Sequence, residues 1–184
     1  MLERLEEWDS NLLLFLNGLG VESWDSFWTF VTRIDSWIPL FLYFSVLIFY
    51  FYGSKKGFRV FVFTVLAFLV AHFLTHFTKI GVGRIRPSNL VDIYDGLRVL
   101  HKSDSFSFFS GHASTSFAIT TFLVLSLRSF HKGVYLFFIW PLIFSFSRIY
   151  VGVHYPSDIL AGVIVGVLIA LIFYQISKKN LKKL

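Results

Sequence analysis

The stretch "SRIYVGVHYPSD", Ser147–Asp158, separates two long apolar runs and places Arg148, His154 and Asp158 in the break between them. Ionisable side chains at the end of an apolar segment are costly unless they are paired or used, so the break needs a reason. The runs on either side, near residues 134–150 and 157–176, are about as long as a crossing of the hydrocarbon requires. Three more such runs lie near 37–52, 58–79 and 113–128. The composition agrees: of 184 residues, 55% are hydrophobic and only 15% charged, with a mean hydropathy of +0.68, outside the balance of a soluble domain. The expected fold is an all-α, polytopic membrane bundle of five transmembrane helices, forming one domain over residues 1–184.

Residues 1–35 read differently. "LLLFL", Leu12–Leu16, is too short to cross a bilayer, and Glu22, Asp25, Arg33 and Asp35 interrupt the residues after it. Trp8, Trp24, Trp28 and Trp37 suit the headgroup level, where a ring is half buried and its N–H stays wet. This segment is expected to be an N-terminal interfacial helix, with a sixth, poorly hydrophobic span as the alternative. It is acidic rather than basic at its start, which argues against a cleavable leader and leaves targeting to the first span.

The net charge of +6 and pI near 9.6 would suggest nucleic acid in a soluble protein. The distribution of the charges points to a membrane instead, and no nucleic-acid partner is expected. With five spans, one side holds Lys55, Lys56, Arg59, Arg128, Lys132, Lys178, Lys179, Lys182 and Lys183 and no acid. By the positive-inside rule that side, with the basic tail 177–184, is cytoplasmic. The ends near Lys79, His112, Arg148 and His154 then face the periplasm or exterior of an inner (cytoplasmic) membrane. Cysteine is absent, which excludes disulfides and thiolate chemistry.

Three clusters converge on that outer face. In "KIGVGRIRP", Lys79 ends a span and Arg84, Arg86 and Pro87 come after two glycines in a turn; snorkelling to headgroups is the competing account. In "FSGHAS", Ser110, Gly111 and His112 stand at a helix N-terminus, whose free N–H groups welcome an anion; an ordinary N-cap is the alternative. In the opening stretch, Pro156 suits a helix start, so His154 and Asp158 share a face at i, i+4 spacing. Asp158 can fix the imidazole tautomer and leave one nitrogen lone pair free, which makes a histidine nucleophile; a structural ion pair is the competing account. A loop of some thirty residues, 80–110, joins the first cluster to the second, and loops that long usually carry function. Arginine forks, a lysine and N–H groups together suit a phosphoryl group, with a second histidine to protonate the leaving oxygen.

These three stretches, in this order and spacing over Lys79–Asp158, resemble the signature motifs of the type 2 phosphatidic acid phosphatase family, relatives of vanadium haloperoxidases. The resemblance implies that His154 attacks phosphorus to form a phosphohistidine, that Asp158 orients it, and that His112 protonates the leaving group. It implies further that Lys79, Arg86, Arg148, Ser110 and the Gly111 backbone hold the phosphate, with Arg84 at a position often basic in the family, and that no metal or cofactor takes part. Phe109 departs from the family's usual Pro before Ser-Gly-His, which relaxes a φ restraint. His72 and His76 lie at metal-binding spacing, but no carboxylate or Cys lies nearby in sequence, and His76, one turn before Lys79, is expected to hydrogen-bond within the bundle beneath the site. The 24 Phe read as lipid-facing and core packing.

The expected function is hydrolysis of a lipid phosphate monoester or pyrophosphate at the outer leaflet, the outward site favouring undecaprenyl pyrophosphate. Phosphatidylglycerophosphate, phosphatidic acid and lipid A phosphates are the alternatives. A lipid phosphotransferase and an anion-binding transporter are the competing classes, and haloperoxidase activity is disfavoured in so apolar a chain.

Overall fold

The structure, a computed structural model, describes residues 2–92, 94 and 96–181; Met1 and, from the expected basic tail, Lys182 and Lys183 lie outside them. Its helices are α1 (Leu2–Gly18), α2 (Asp25–Val31), α3 (Ile38–Val82), α4 (Gly111–Leu127), α5 (Ile139–Tyr150) and α6 (Pro156–Leu181). Short 3₁₀ turns stand at Glu22–Trp24, Asp35–Trp37, Pro87–Asn89 and Lys132–Phe138, and there is no strand among the described residues.

At 45 residues, α3 would be about 68 Å long if straight, over twice the hydrocarbon thickness. It folds back on itself instead. Gly53 takes φ +67 and ψ −177, open to glycine because it has no Cβ. Beyond it the Phe61 ring lies 6.2 Å from that of Phe49, where twelve residues of straight helix would give about 18 Å. The apolar runs expected near 37–52 and 58–79 are thus joined by a one-residue hinge between two arms, 38–52 and 54–82. Among the described residues, three segments are long and apolar enough to cross a membrane: Asp35–Val82, Lys132–Tyr150 and Pro156–Lys179; Gly111–Leu127 is a shorter apolar helix.

The helix α4 forms the centre and is buried along most of its length. α6 approaches it closely because Gly162 and Gly166 present bare backbone at i, i+4 spacing. A Cβ on Gly162 would sit 2.7 Å from the Ser110 carbonyl oxygen, and one on Gly166 2.3 Å from that of Ser114. The second arm of α3 joins α4 through the Thr75 and Ser114 hydroxyls, 2.8 Å apart. α5 takes regular α form only from Ile139, after a 3₁₀ entry. Pro141 has no N–H for the Phe137 carbonyl and would clash with it in a longer α-helix, whereas at the third helical position that N–H is not needed. Leu42, Phe58, Phe77, Leu160 and Leu168 on the outer surface are all more than half exposed, as lipid contact allows and water does not.

The N-terminal helix is fastened to this bundle. Asn17, fully buried, donates through Nδ2 to the carbonyls of Arg98, Ile149 and Tyr150 at 2.9–3.0 Å and accepts from the Arg98 N–H at 2.8 Å. On its other face Leu5, Trp8, Leu12, Phe15 and Leu19 make an exposed apolar stripe. The long loop lies over the α5–α6 break, and Gly152 (φ +78) admits it: a Cβ there would be 2.6 Å from the Arg98 carbonyl oxygen.

Candidate active site

The break between α5 and α6 turns inward, leaving His154 and Asp158 almost without exposure. One turn of α6 brings the pair together: His154 Nδ1 lies 3.1 Å from Asp158 Oδ2, which also accepts the Tyr155 N–H at 3.0 Å. The other imidazole nitrogen, Nε2, lies 3.1 Å from Arg86 Nη1. A guanidinium has donors only, so Nε2 accepts, and the proton therefore sits on Nδ1 facing Asp158. The tautomer is fixed from both sides, with the lone pair on Nε2. Burial, then the Arg86 and Arg148 charges, hold the His154 pKa well below the ordinary histidine value, so the ring is neutral at physiological pH.

Arg86 stands in extended backbone just before the 3₁₀ turn that Pro87 opens and is itself 4% exposed. Its fork is held by the Ser105 carbonyl (2.7 Å), the Ser105 hydroxyl (2.9 Å) and the Val153 carbonyl (3.0 Å), so it is fixed beside the imidazole. Arg148, also buried, donates through Nη1 to Thr32 Oγ1 at 2.5 Å, and its Nε has no partner among the described residues. A buried guanidinium N–H left open at the edge of a cavity suits an oxyanion. Lys79 donates to the Phe106 carbonyl at 2.5 Å. All three cations, with Gly111, His112 and His154, line one cavity of about 650 Å³ that continues along α3 between apolar side chains such as Phe41, Ile48 and Phe61.

His112 stacks on Phe144 at 4.4 Å, and its Nε2 lies 3.1 Å from the Thr32 carbonyl oxygen. A carbonyl only accepts, so this nitrogen carries a proton. The Ser110 side chain caps α4 by accepting the Ala113 N–H at 3.4 Å, and its own N–H donates to the Asp158 carbonyl at 3.0 Å. That bond ties the second motif to the third and anchors the loop at Phe109, which is 4% exposed.

Of the residues expected to meet phosphate, the structure brings Lys79, Arg86, Arg148 and Gly111 to the cavity, with His112 and His154. Ser110 and Arg84 do not line it. Arg84 is committed behind Asp158: Nη1 donates to Asp158 Oδ1 and Ser157 Oγ, both at 2.8 Å, and Nη2 to Asp9 Oδ2 at 2.7 Å. Its guanidinium also lies 3.8 Å over the Tyr155 ring. Burial opposes the Arg84 charge, but Asp158 and Asp9 outweigh it and raise its pKa.

Sequence reasoning missed three contributors, Asp9, Thr32 and Asn17, all from the N-terminal segment. Asp9 accepts from Arg84, from the Ser157 N–H at 2.9 Å and from the Ser157 hydroxyl, so it also caps the start of α6. Thr32 meets both His112 and Arg148. Nothing in their own neighbourhood marks these residues, since their partners lie 75 or more positions away. The expectation for His76 is corrected: it and His72 line the cavity wall, and no hydrogen bond from the described residues reaches either ring. No group of three metal-ligating side chains occurs among the described residues.

Comparisons with known proteins bear on this arrangement. The lipid A 4'-phosphatase of Bacteroides thetaiotaomicron is 35% identical, the alignment covering 97% of this chain and 81% of that protein. The undecaprenyl-diphosphatase of Sulfolobus acidocaldarius is 30% identical over 90% of this chain and 73% of its own length. The crystal structure of a transmembrane PAP2 type phosphatidylglycerolphosphate phosphatase from Bacillus subtilis shares the fold, with a TM-score of 0.77 at 21% identity, covering 96% of this chain and 87% of that one. The PAP2 superfamily profile matches residues 59–182, which hold all three motifs, and the chain therefore belongs to the PAP2 superfamily and is a phosphoric ester hydrolase.

Proposed function

We propose that this protein removes a phosphate monoester from an acylated membrane lipid of the lipid A class by way of a phosphohistidine on His154. The observation that carries the chemistry is the fixed His154 tautomer, with Nδ1–H on Asp158 and the Nε2 lone pair beside Arg86 at the head of a cavity that continues along α3. In the first step the Nε2 lone pair forms the N–P bond as the bond from phosphorus to the lipid oxygen breaks. His112, carrying a proton on both ring nitrogens once the phosphate anion enters the cavity, is released from the Thr32 carbonyl, gives its Nε2 proton to that oxygen and is left neutral. Asp158 balances the charge that develops on the imidazole. Water then attacks phosphorus as the N–P bond breaks, giving a proton to His112, returning the lone pair to His154 Nε2 and leaving phosphate. Lys79, Arg86, the open Nε of Arg148 and the Gly111 backbone hold the equatorial oxygens throughout. Arg84 acts from behind, on Asp158 rather than on phosphate.

The two arms of α3, then α4, α5 with its 3₁₀ entry, and α6 make five crossings. Residues 1–35 lie at the outer interface and close the site through Asp9 and Thr32. The Gly53 hinge and the turn after α4 share the opposite end, where the Phe51 and Phe130 rings stack at 5.1 Å, and the basic residues belong there, on the cytoplasmic side. The 35% relative supports lipid A phosphate as substrate. The 30% relative favours undecaprenyl diphosphate as a second reading, the one the outward-facing site suggested from sequence.

The test is phosphate release by the detergent-purified protein, with EDTA present, from lipid A, phosphatidic acid and undecaprenyl diphosphate in parallel. Release from lipid A that vanishes in His154→Ala is expected. Release that survives the substitution, or that EDTA removes and a divalent ion restores, rejects the mechanism.

A further inference from the structure

His72 and His76 stand one turn apart on the second arm of α3, and His76 stands three residues before Lys79. At 1.5 Å per residue His76 lies about 4.5 Å and His72 about 10.5 Å below Lys79 along the helix axis, into the membrane. All three side chains line the same cavity. The hydroxyls on this wall are already committed: Thr64 to the Val60 carbonyl, Thr75 to Ala71 and Ser114, Ser45 to Phe41, and Thr115 to Gly111. The two imidazoles are not. They touch the rings of Phe68, Phe73 and Phe77, and no hydrogen bond from the described residues satisfies them.

Both side chains are exposed, and a polar side chain exposed at membrane depth without a partner is costly, so its natural partner is the molecule that fills the cavity they line. An imidazole offers at least one N–H in any protonation state, so that molecule should bring hydrogen-bond acceptors to this depth. A polyprenyl chain has no oxygen beyond its phosphates. An acylated lipid carries ester or amide carbonyls a few bonds below the phosphate, at the top of its chains. We propose that His72 and His76 recognise those acyl carbonyls and select acylated lipid phosphates over polyprenyl ones; this rests on the lipid-phosphatase reading above.

The test compares wild type with H72F/H76F, which keeps ring volume and removes the donors, and with H72Q/H76Q, which keeps an amide donor. kcat/KM is measured on lipid A, phosphatidic acid and undecaprenyl diphosphate, a loss of equal size on the last overturning the selectivity, and the inhibition constant for orthovanadate reports the phosphate pocket separately. H72F/H76F is expected to lose about tenfold or more in kcat/KM on the acylated substrate, mostly in KM, with the vanadate constant moving less than about twofold. H72Q/H76Q should recover most of the loss. An unchanged kcat/KM in H72F/H76F overturns the inference, and so does a vanadate constant that worsens in parallel, which marks a structural role. A wild type that hydrolyses undecaprenyl diphosphate but neither acylated lipid overturns it while leaving the phosphatase reading intact; release from none of the three overturns that reading as well.

Discussion

Substituting Asp9 by Asn removes a charge that the active site uses from behind. The Asp9 carboxylate accepts from Arg84 at 2.7 Å, from the Ser157 N–H at 2.9 Å and from the Ser157 hydroxyl, with the Arg84 and Asp9 side chains 24% and 10% exposed. A hydrogen bond to a charged group in such a setting contributes about 1.5–3 kcal/mol, and the loss of a cap about 1 kcal/mol. Asn keeps one acceptor for the Ser157 N–H, so a net loss of about 2 kcal/mol is expected. For a chain of this size that corresponds to roughly 4–8 °C in Tm. The catalytic consequence comes through Arg84, which grips Asp158 Oδ1 while Oδ2 orients His154. With Asp9 neutral, the guanidinium is free to draw Asp158 toward itself and away from the imidazole. kcat should fall about tenfold with KM little changed, since no phosphate contact is touched. The assay is steady-state phosphate release together with thermal unfolding in detergent, carried out on D9N, R84Q and the double variant. If Asp9 acts only through Arg84, the double variant is no slower than R84Q. Losses that multiply refute the relay, as does a D9N enzyme with unchanged kcat.

Three further outcomes are expected. His154→Ala should show no turnover, while Asp158→Asn should lose roughly 10²–10⁴-fold in kcat, the scale set by an orienting carboxylate, and still bind orthovanadate; an Asp158→Asn enzyme within a few-fold of wild type rejects the orienting role. The nucleophile is neutral His154 with a lowered pKa, so activity is present above that pKa and lost as pH falls through it. The acid limb of kcat/KM should therefore lie below the ordinary histidine value of about 6.5, and a limb at or above it contradicts the assignment. Gly166→Ala should cost about 1–3 kcal/mol of stability, because its Cβ would meet the Ser114 carbonyl oxygen at 2.3 Å, whereas Gly18→Ala, with nothing within 4 Å, should be neutral; equal Tm for the two variants argues against the close α4–α6 packing.

Much of this protein is written locally. Hydropathy alone marks the apolar helices, because lipid requires every backbone polar group to be satisfied within its own segment. The pairing of His154 with Asp158 comes from one helical turn around Pro156, and the Ser110 cap from its place before α4. Only the tertiary structure decided what lies behind and beside these groups. Arg84 reads as one more phosphate ligand until α1 brings Asp9 to its far side. Thr32 has no distinguishing signal, yet it holds both His112 and Arg148 across 80 and 116 residues. The unpartnered state of His72 and His76 likewise emerges only when the two arms of α3 close around a cavity. Periodicity, caps and turns depend on residues a few positions apart and can be read along the chain, but the partner of a buried charge is chosen by packing between segments far apart in sequence.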